Sequence, residues 1–330
     1  MRSRARAAAG ALLFLSAGSL SAGSLSGCAA PAYDAKSAPQ FVAPPARDGL
    51  VHASGSFAGS DGVRLFEQSW RPADGGKAVV VIVHGLKDHS SRYADFAADL
   101  VRHGYAVYGL DQRGHGYSEG RRVWVDTFDQ LVADLDGFVR RVREREPGKP
   151  VFLFGHSMGG AVVTTLALKR TPDVRGLLLS GPALQVTPDV TPFKIKATRS
   201  FGKSNPRLAV FKMPDENFSR DEKSVAALRG DPAVYHGAGP ARMAAEVLGA
   251  IDYIQQHMED LTLPVLALHG TADKLTNPDG SKALVERARS TDKALKLYPG
   301  VYHDLLHEPE RAQVQADIEA WLDARAAAPR

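Results

Sequence analysis

Gly155-His156-Ser157-Met158-Gly159 joins two segments of opposite character, and that junction constrains the whole fold. Val151-Phe152-Leu153-Phe154, a short apolar run after Pro150, predicts a buried strand. Gly160 to Lys169 follows and predicts a helix packed on that strand. A serine on so sharp a turn is held in a strained backbone conformation, and glycines flank it because a Cβ there would collide with neighbouring backbone. Its hydroxyl then stands at the carboxyl edge of a sheet, beside a helix amino terminus that favours negative charge. With 31 glycines in 330 residues, a G-x-S-x-G string alone is easily met by chance. The strand-turn-helix context is what makes it a nucleophile elbow.

The rest of the chain supplies the layers such an elbow needs. Ser54–Phe57 and Val63–Trp70 predict a hairpin, and Ala78–Val83 is the continuous apolar run expected of a central parallel strand. Tyr105–Leu110, Val174–Ser180, Val265–Leu268 and Ala294–Tyr298 predict further strands. Helical patterns fall around 93–101, 128–145 and in a last segment ending near Trp321. Strands alternating with helices imply an α/β protein with a mostly parallel, doubly wound sheet, and with the elbow this is an α/β-hydrolase fold. The strand rhythm stops at about 182–258, which predicts a cap inserted between strands, within a hydrolase domain spanning 52–330.

A leader precedes that domain. Arg2, Arg4 and Arg6 open a basic region, Ala7 to Leu20 is apolar, and Leu25-Ser26-Gly27-Cys28 resembles the lipobox of bacterial lipoproteins. The resemblance implies a signal peptide over 1–27, acylation of Cys28, and export to a bacterial cell-envelope membrane, the outer one if there is one. An ordinary signal peptide or an uncleaved anchor would share the first two features, but Cys28 is the single cysteine of the chain and sits at the lipobox position. No disulfide can therefore form. Residues 28–51 are rich in Ala, Pro and Ser without periodicity and predict a tether. Loss of the three leader arginines brings the formal charge from +4 to about +1, which argues against nucleic-acid binding.

A serine nucleophile needs a base, and the base needs a third group to orient it. In this fold the chain order is Ser, then Asp or Glu, then His. His303 follows the last predicted strand on a loop returning to the serine's edge, ahead of His307, which reads as a solvated helix residue. Asp273 follows its strand in the same way; Asp279 reads as a cap of a helix starting near Gly280, and Asp111 precedes the serine and breaks the order. The oxyanion needs two backbone N–H groups, for which Met158 and Leu86 are the candidates. His84 then reads as a brace of the Leu86 loop. The histidines are scattered and no H-E-x-x-H occurs, so neither a metal nor a nucleotide cofactor is expected.

Three blocks make the resemblance specific: His84-Gly85-Leu86-Lys87-Asp88-His89-Ser90-Ser91-Arg92-Tyr93, Asp111-Gln112-Arg113-Gly114-His115-Gly116-Tyr117-Ser118-Glu119-Gly120, and the elbow with Gly160. Over about 55–325, including Asp273 and Gly300-x-x-His303, the chain resembles monoacylglycerol lipases, members of the serine-aminopeptidase-like α/β-hydrolases. That resemblance implies hydrolysis of monoacylglycerols or lysolipid esters by Ser157, His303 and Asp273, with Leu86 and Met158 as oxyanion hole and the Asp111 block structural. One departure stands out: the family carries Gly-Glu where this chain has Lys87-Asp88. Asp88 and Arg92, one helical turn apart, are candidate head-group contacts or else a surface ion pair.

The cap mixes Phe193, Ile195 and Phe201 with Lys194, Lys196 and Arg199, which suits either a small packed subdomain or an amphipathic lip on a lipid surface. The expected function is ester hydrolysis at a membrane to which the chain is tethered by lipid, on a small lipid ester substrate. A short-chain carboxylesterase, a peptidase, a C–C hydrolase and a cofactor-free peroxidase share the same triad. A non-catalytic scaffold would have lost a triad member, and all three are present.

Overall fold

The strand Ala78–Val83 (β3) is buried at every residue, and the reason is visible in its two faces. Val79, Val81 and Val83 pack into one hydrophobic cluster, and Val80 and Ile82 pack into another on the opposite side of the sheet. The same alternation recurs in Val151–His156 (β5), where Leu153 faces the first cluster and Phe152 and Phe154 the second. A side-chain period of two with both sides apolar is what a central parallel strand requires.

The computed structural model describes residues 40–43 and 49–327. The expected signal peptide, Cys28 and all but a few residues of the expected tether lie outside these. The remaining strands are Leu50–Ala58 (β1), Arg64–Pro72 (β2), Tyr105–Leu110 (β4), Gly176–Ser180 (β6), Ala209–Phe211 (β7), Gly239–Pro240 (β8), Val265–Gly270 (β9) and Lys293–Tyr298 (β10). Eight of the ten described strands form one sheet in the order β1-β2-β4-β3-β5-β6-β9-β10. The β1–β2 and β2–β4 pairs are antiparallel, and the others are parallel. This is the mostly parallel, doubly wound α/β-hydrolase sheet.

Helices cover both faces. Phe128–Arg145 (α2) and Met158–Arg170 (α3) contribute to the first cluster, Ala94–Arg102 (α1) and Arg311–Ala326 (α8) to the second. α2 begins with a capping box, Thr127 and Gln130 satisfying each other's end groups. The helix Pro278–Arg287 (α7) differs from expectation. It starts at Pro278, and the Asn277 side chain, not Asp279, accepts the end N–H. Proline at the first helical position explains the earlier start, since it needs no acceptor there.

Between β6 and β9 the chain leaves the sheet and builds Pro192–Ser204 (α4), β7, Glu222–Gly230 (α5), β8 and Ala241–His257 (α6). β7 pairs with β8, and the apolar side of α6 joins the first cluster through Met243, Ala250 and Ile254. Phe193, near the start of α4, is 79 % exposed, the largest exposure of an aromatic side chain among the described residues.

Candidate active site

Ser157 ends β5 and begins α3 with φ 54° and ψ −121°, a left-handed backbone that costs a non-glycine residue free energy. Its neighbours explain why the turn can form. A Cβ on Gly155 would lie 2.7 Å from the Gly159 carbonyl oxygen, and one on Gly159 would overlap the Val83 carbonyl. Only hydrogens fit at either position. The Ser157 amide donates to the Ser180 carbonyl at 3.0 Å, and its carbonyl accepts from Ala183 at 3.0 Å, so β6 and its following loop hold the elbow in place.

The acid and base come from two other loops of the same edge. His303 Nδ1–H donates to Asp273 Oδ2 at 2.7 Å, both side chains being fully buried. Asp273 Oδ1 accepts the backbone N–H groups of Leu275 (2.7 Å) and Thr276 (2.9 Å). Burial alone would raise the Asp273 carboxyl, but the charge and hydrogen bonds of His303 and His269 outweigh it and hold the group well below the usual carboxylate range. Asp273 therefore stays ionised and fixes which nitrogen of His303 carries the proton. His303 Nε2, on the far side of the ring, is buried and has no hydrogen-bond partner among the described residues, Ser157 included. The ring lies over His156, the residue before the serine, at 4.7 Å between centroids.

His84 occupies the brace position. Its Nδ1–H donates to the Gly85 carbonyl at 2.7 Å, and its Nε2 accepts the Gln112 N–H at 2.9 Å. With one nitrogen donating and the other accepting, the ring is neutral, as its lowered pKa from burial requires. Gly85, the next residue, lies so close to the elbow that a Cβ would meet that of Ser157 at 3.1 Å. Leu86 and Met158 both line the cavity at Ser157. The Asp111 block is a scaffold: Asp111 accepts the N–H groups of Ser90 and Tyr117, and Arg113 binds Asp134.

Two expectations need correction. Asp88 and Arg92 are no surface pair, because their side chains are 4 % and 9 % exposed. Arg92 bridges Asp88 at 3.0 Å and Asp304 at 2.9 Å, so it ties the Leu86 loop to the loop that carries His303. Burial opposes ionisation, but Arg92 and nearby histidines prevail and bring Asp88 down to about 2. His307 is likewise no solvated helix residue: it lies in a short 3₁₀ turn, Leu305–His307, and its Nδ1 donates to Asp304 at 2.9 Å.

Sequence reasoning missed His269 and Thr276. His269 Nε2 lies 3.2 Å from Asp273 Oδ2, and the Thr276 hydroxyl is 2.8 Å from the same oxygen. The Ser281 hydroxyl lies 2.7 Å from His269 Nδ1 and satisfies the other nitrogen. His269 stands four residues before Asp273 at the end of β9, and that spacing was the one signal available.

A strained serine at the carboxyl edge of a parallel sheet, with a buried Asp–His pair delivered to it from later loops, defines a serine hydrolase of the α/β-hydrolase class. Residues 75–310 match the family described as serine aminopeptidase, S33, and the chain belongs to that family. It is 37 % identical to a monoacylglycerol lipase of Mycolicibacterium smegmatis over 81 % of this chain and 95 % of that one. It is 34 % identical to a caffeoylshikimate esterase of Arabidopsis thaliana over 83 % of this chain and 86 % of the relative. The crystal structure of Paleococcus ferrophilus monoacylglycerol lipase superposes with a TM-score of 0.69 at 28 % identity, covering 84 % of this chain and 99 % of that one. The chain is an ester-hydrolysing serine hydrolase.

Proposed function

We propose that the enzyme cleaves monoacylglycerols or related lysolipid esters through an acyl-enzyme on Ser157. His303 takes the serine proton and returns it to the leaving alcohol, Asp273 orients and stabilises the imidazolium, and the Leu86 and Met158 amides hold the oxyanion. The observation that carries the substrate reading is a cavity of about 130 Å³ that opens on Ser157 and is lined by Val190, Phe211, Met213, Leu248 and Ile251. The apolar part of that lining suits an acyl chain, with Gln185, Thr187, Asp189 and Lys274 at its polar positions. On the other side of Leu86 lies a much smaller recess, about 10 Å³, bordered by Lys87, Asp88, Arg92 and Tyr235. It has room for no more than one water, and its Asp88 and Arg92 are already paired with each other, so the head group is not assigned to it. The relatives named above favour the lipid reading, with the caffeoylshikimate esterase as a reminder that the alcohol side varies.

Kinetics on glycerol esters of increasing chain length test it. Each buried CH₂ adds about 0.8 kcal/mol of binding, so kcat/KM should climb with chain length until the cavity is filled. Monoacyl substrates should outrun diacyl ones. A maximum at acetyl or butyryl esters would replace the lipase with a short-chain carboxylesterase.

We further propose export and attachment through a lipid on Cys28, supported by the lipobox-like Leu25-Ser26-Gly27-Cys28. Growth with a labelled fatty acid should tag the wild type and not Cys28→Ser. An untagged wild type rejects the anchor.

A further inference from the structure

The structure gives Lys87, the residue after Leu86, an unusual setting. Its backbone has φ 68°, the left-handed region where glycine is free of cost and a lysine is not. Its side chain is not in solvent either: Lys87 is only 4 % exposed. A strained backbone and a buried ammonium are two costs at one position, and both need a compensating role. The contacts show where the compensation lies. Lys87 Nζ donates to the Gly237 carbonyl at 2.6 Å, and the Lys87 carbonyl accepts the Tyr235 N–H at 3.0 Å. The ammonium also lies 5.7 Å and 5.9 Å from the ring centroids of Tyr235 and Phe211. Two residues on, His89 Nε2 meets Asp231 Oδ2 at 2.9 Å. Residues 231–237 belong to the cap, between α5 and β8. The loop that carries Leu86 is therefore fastened to the cap at two points just after Leu86, while His84 before it is held by Gln112.

We infer that Lys87 is a positioning residue: its ammonium locks the Leu86 loop to cap residues 235–237, so that the Leu86 amide reaches oxyanion position only with the cap seated. Catalysis by preorganised N–H groups needs such a lock, because an amide displaced by an ångström no longer stabilises the developing charge. A glycine at 87 could take the same backbone angles but has no means to hold the cap. The inference rests on the hydrolase reading of Ser157.

The charges around the ammonium make the lock depend on pH. Burial pulls the Lys87 ammonium down to about 8, with Asp215 opposing and Lys212 adding to the fall. Asp88 and Arg92 border the same recess and are paired with each other, and His89 is paired with Asp231. The Tyr235 hydroxyl lies 3.3 Å from the Ala238 carbonyl and carries no charge there. Below pH 8 the ammonium is intact; above it the proton leaves and the lock weakens.

Lys87→Gly and Lys87→Met separate this role from a merely structural one, measured as kcat, KM and Tm on a soluble p-nitrophenyl ester, with fluorophosphonate titration of Ser157 to count competent sites. Both variants remove a buried charge, and Lys87→Gly also removes backbone strain, so Tm should hold or rise. kcat should fall by roughly tenfold with KM nearly unchanged. The wild-type loss of kcat above about pH 8 should be absent from both variants. Wild-type kcat with the alkaline limb retained, or a loss of kcat that merely follows a fall in Tm, would overturn the inference. A wild type that fails to react with the fluorophosphonate would overturn the reading of Ser157 beneath it.

Discussion

The sheet edge and the cap solve different problems with different materials. At the edge, Ser157, Asp273 and His303 each follow a strand of one sheet, on short loops closed by backbone hydrogen bonds. Their positions are set by strand register and by glycines whose removal would bring backbone into collision. In the cap, α4 and α5 present mostly exposed or half-buried residues, with two fully shielded side-chain positions, Thr198 and Leu228, and Gly202. The edge is rigid because the whole core stands behind it. The cap rests on the first cluster through α6 and is tied to the Leu86 loop by a few polar contacts. The comparison teaches that the edge carries the candidate nucleophile, acid and base while cap residues line the cavity, and that the two meet at the Leu86 loop.

Substitutions can break that division. The largest effect is expected from Ser157→Ala, which should cost on the order of 10⁴-fold or more in kcat on any ester, short or long, with Tm nearly unchanged. Purified mutant enzyme that kept more than a few per cent of activity would remove the edge from the chemistry. His303→Ala should be nearly as severe, whereas His307→Ala should retain most activity and lose some stability with its bond to Asp304. The reverse ranking would move the base.

Asp88→Asn tests the seam. It leaves Arg92 buried with only Asp304 to neutralise it, and breaking one side of a buried ion pair costs about 3 kcal/mol. The same carboxyl predicts a pH effect. Its pKa is lowered from 3.8 to about 2, so its contribution is complete above pH 4 and lost as pH falls toward 2. That difference corresponds to ~2 kcal/mol. Urea unfolding at pH 5 and pH 2.5 should show a larger drop in the wild type than in Asp88→Asn, which keeps the lowered carboxyls of Asp273 and Asp304; equal drops would place the pair outside the stability of the fold. The smallest effect belongs to the cap surface. Phe193→Ser should change stability by less than about 0.5 kcal/mol and leave soluble short esters untouched, because the ring is already exposed. Rates on lipid-dispersed monoacylglycerol should fall. If they do not, the cap surface has no part in reaching its substrate.

Where local rules operate, the sequence was sufficient. The runs at 78–83 and 151–154 are apolar on both faces, and a strand buried on both sides has no other way to look. The elbow could be read from its strand-turn-helix pattern, and the Gly155 collision lies within five residues of itself, but Gly159 and Gly160 are demanded by Val83 and Pro182, which only the fold brings near. The order Ser157, Asp273, His303 follows from strand order. The tertiary structure alone decided the rest, because its contacts join loops far apart in the chain. Arg92 holds Asp88 and Asp304 across 212 residues, and Lys87 reaches Gly237 across 150. A buried ion pair and an exposed one have the same spacing of four, so nothing local told Asp88 and Arg92 from a surface pair. Burial distinguishes them, and burial is a property of what packs on top.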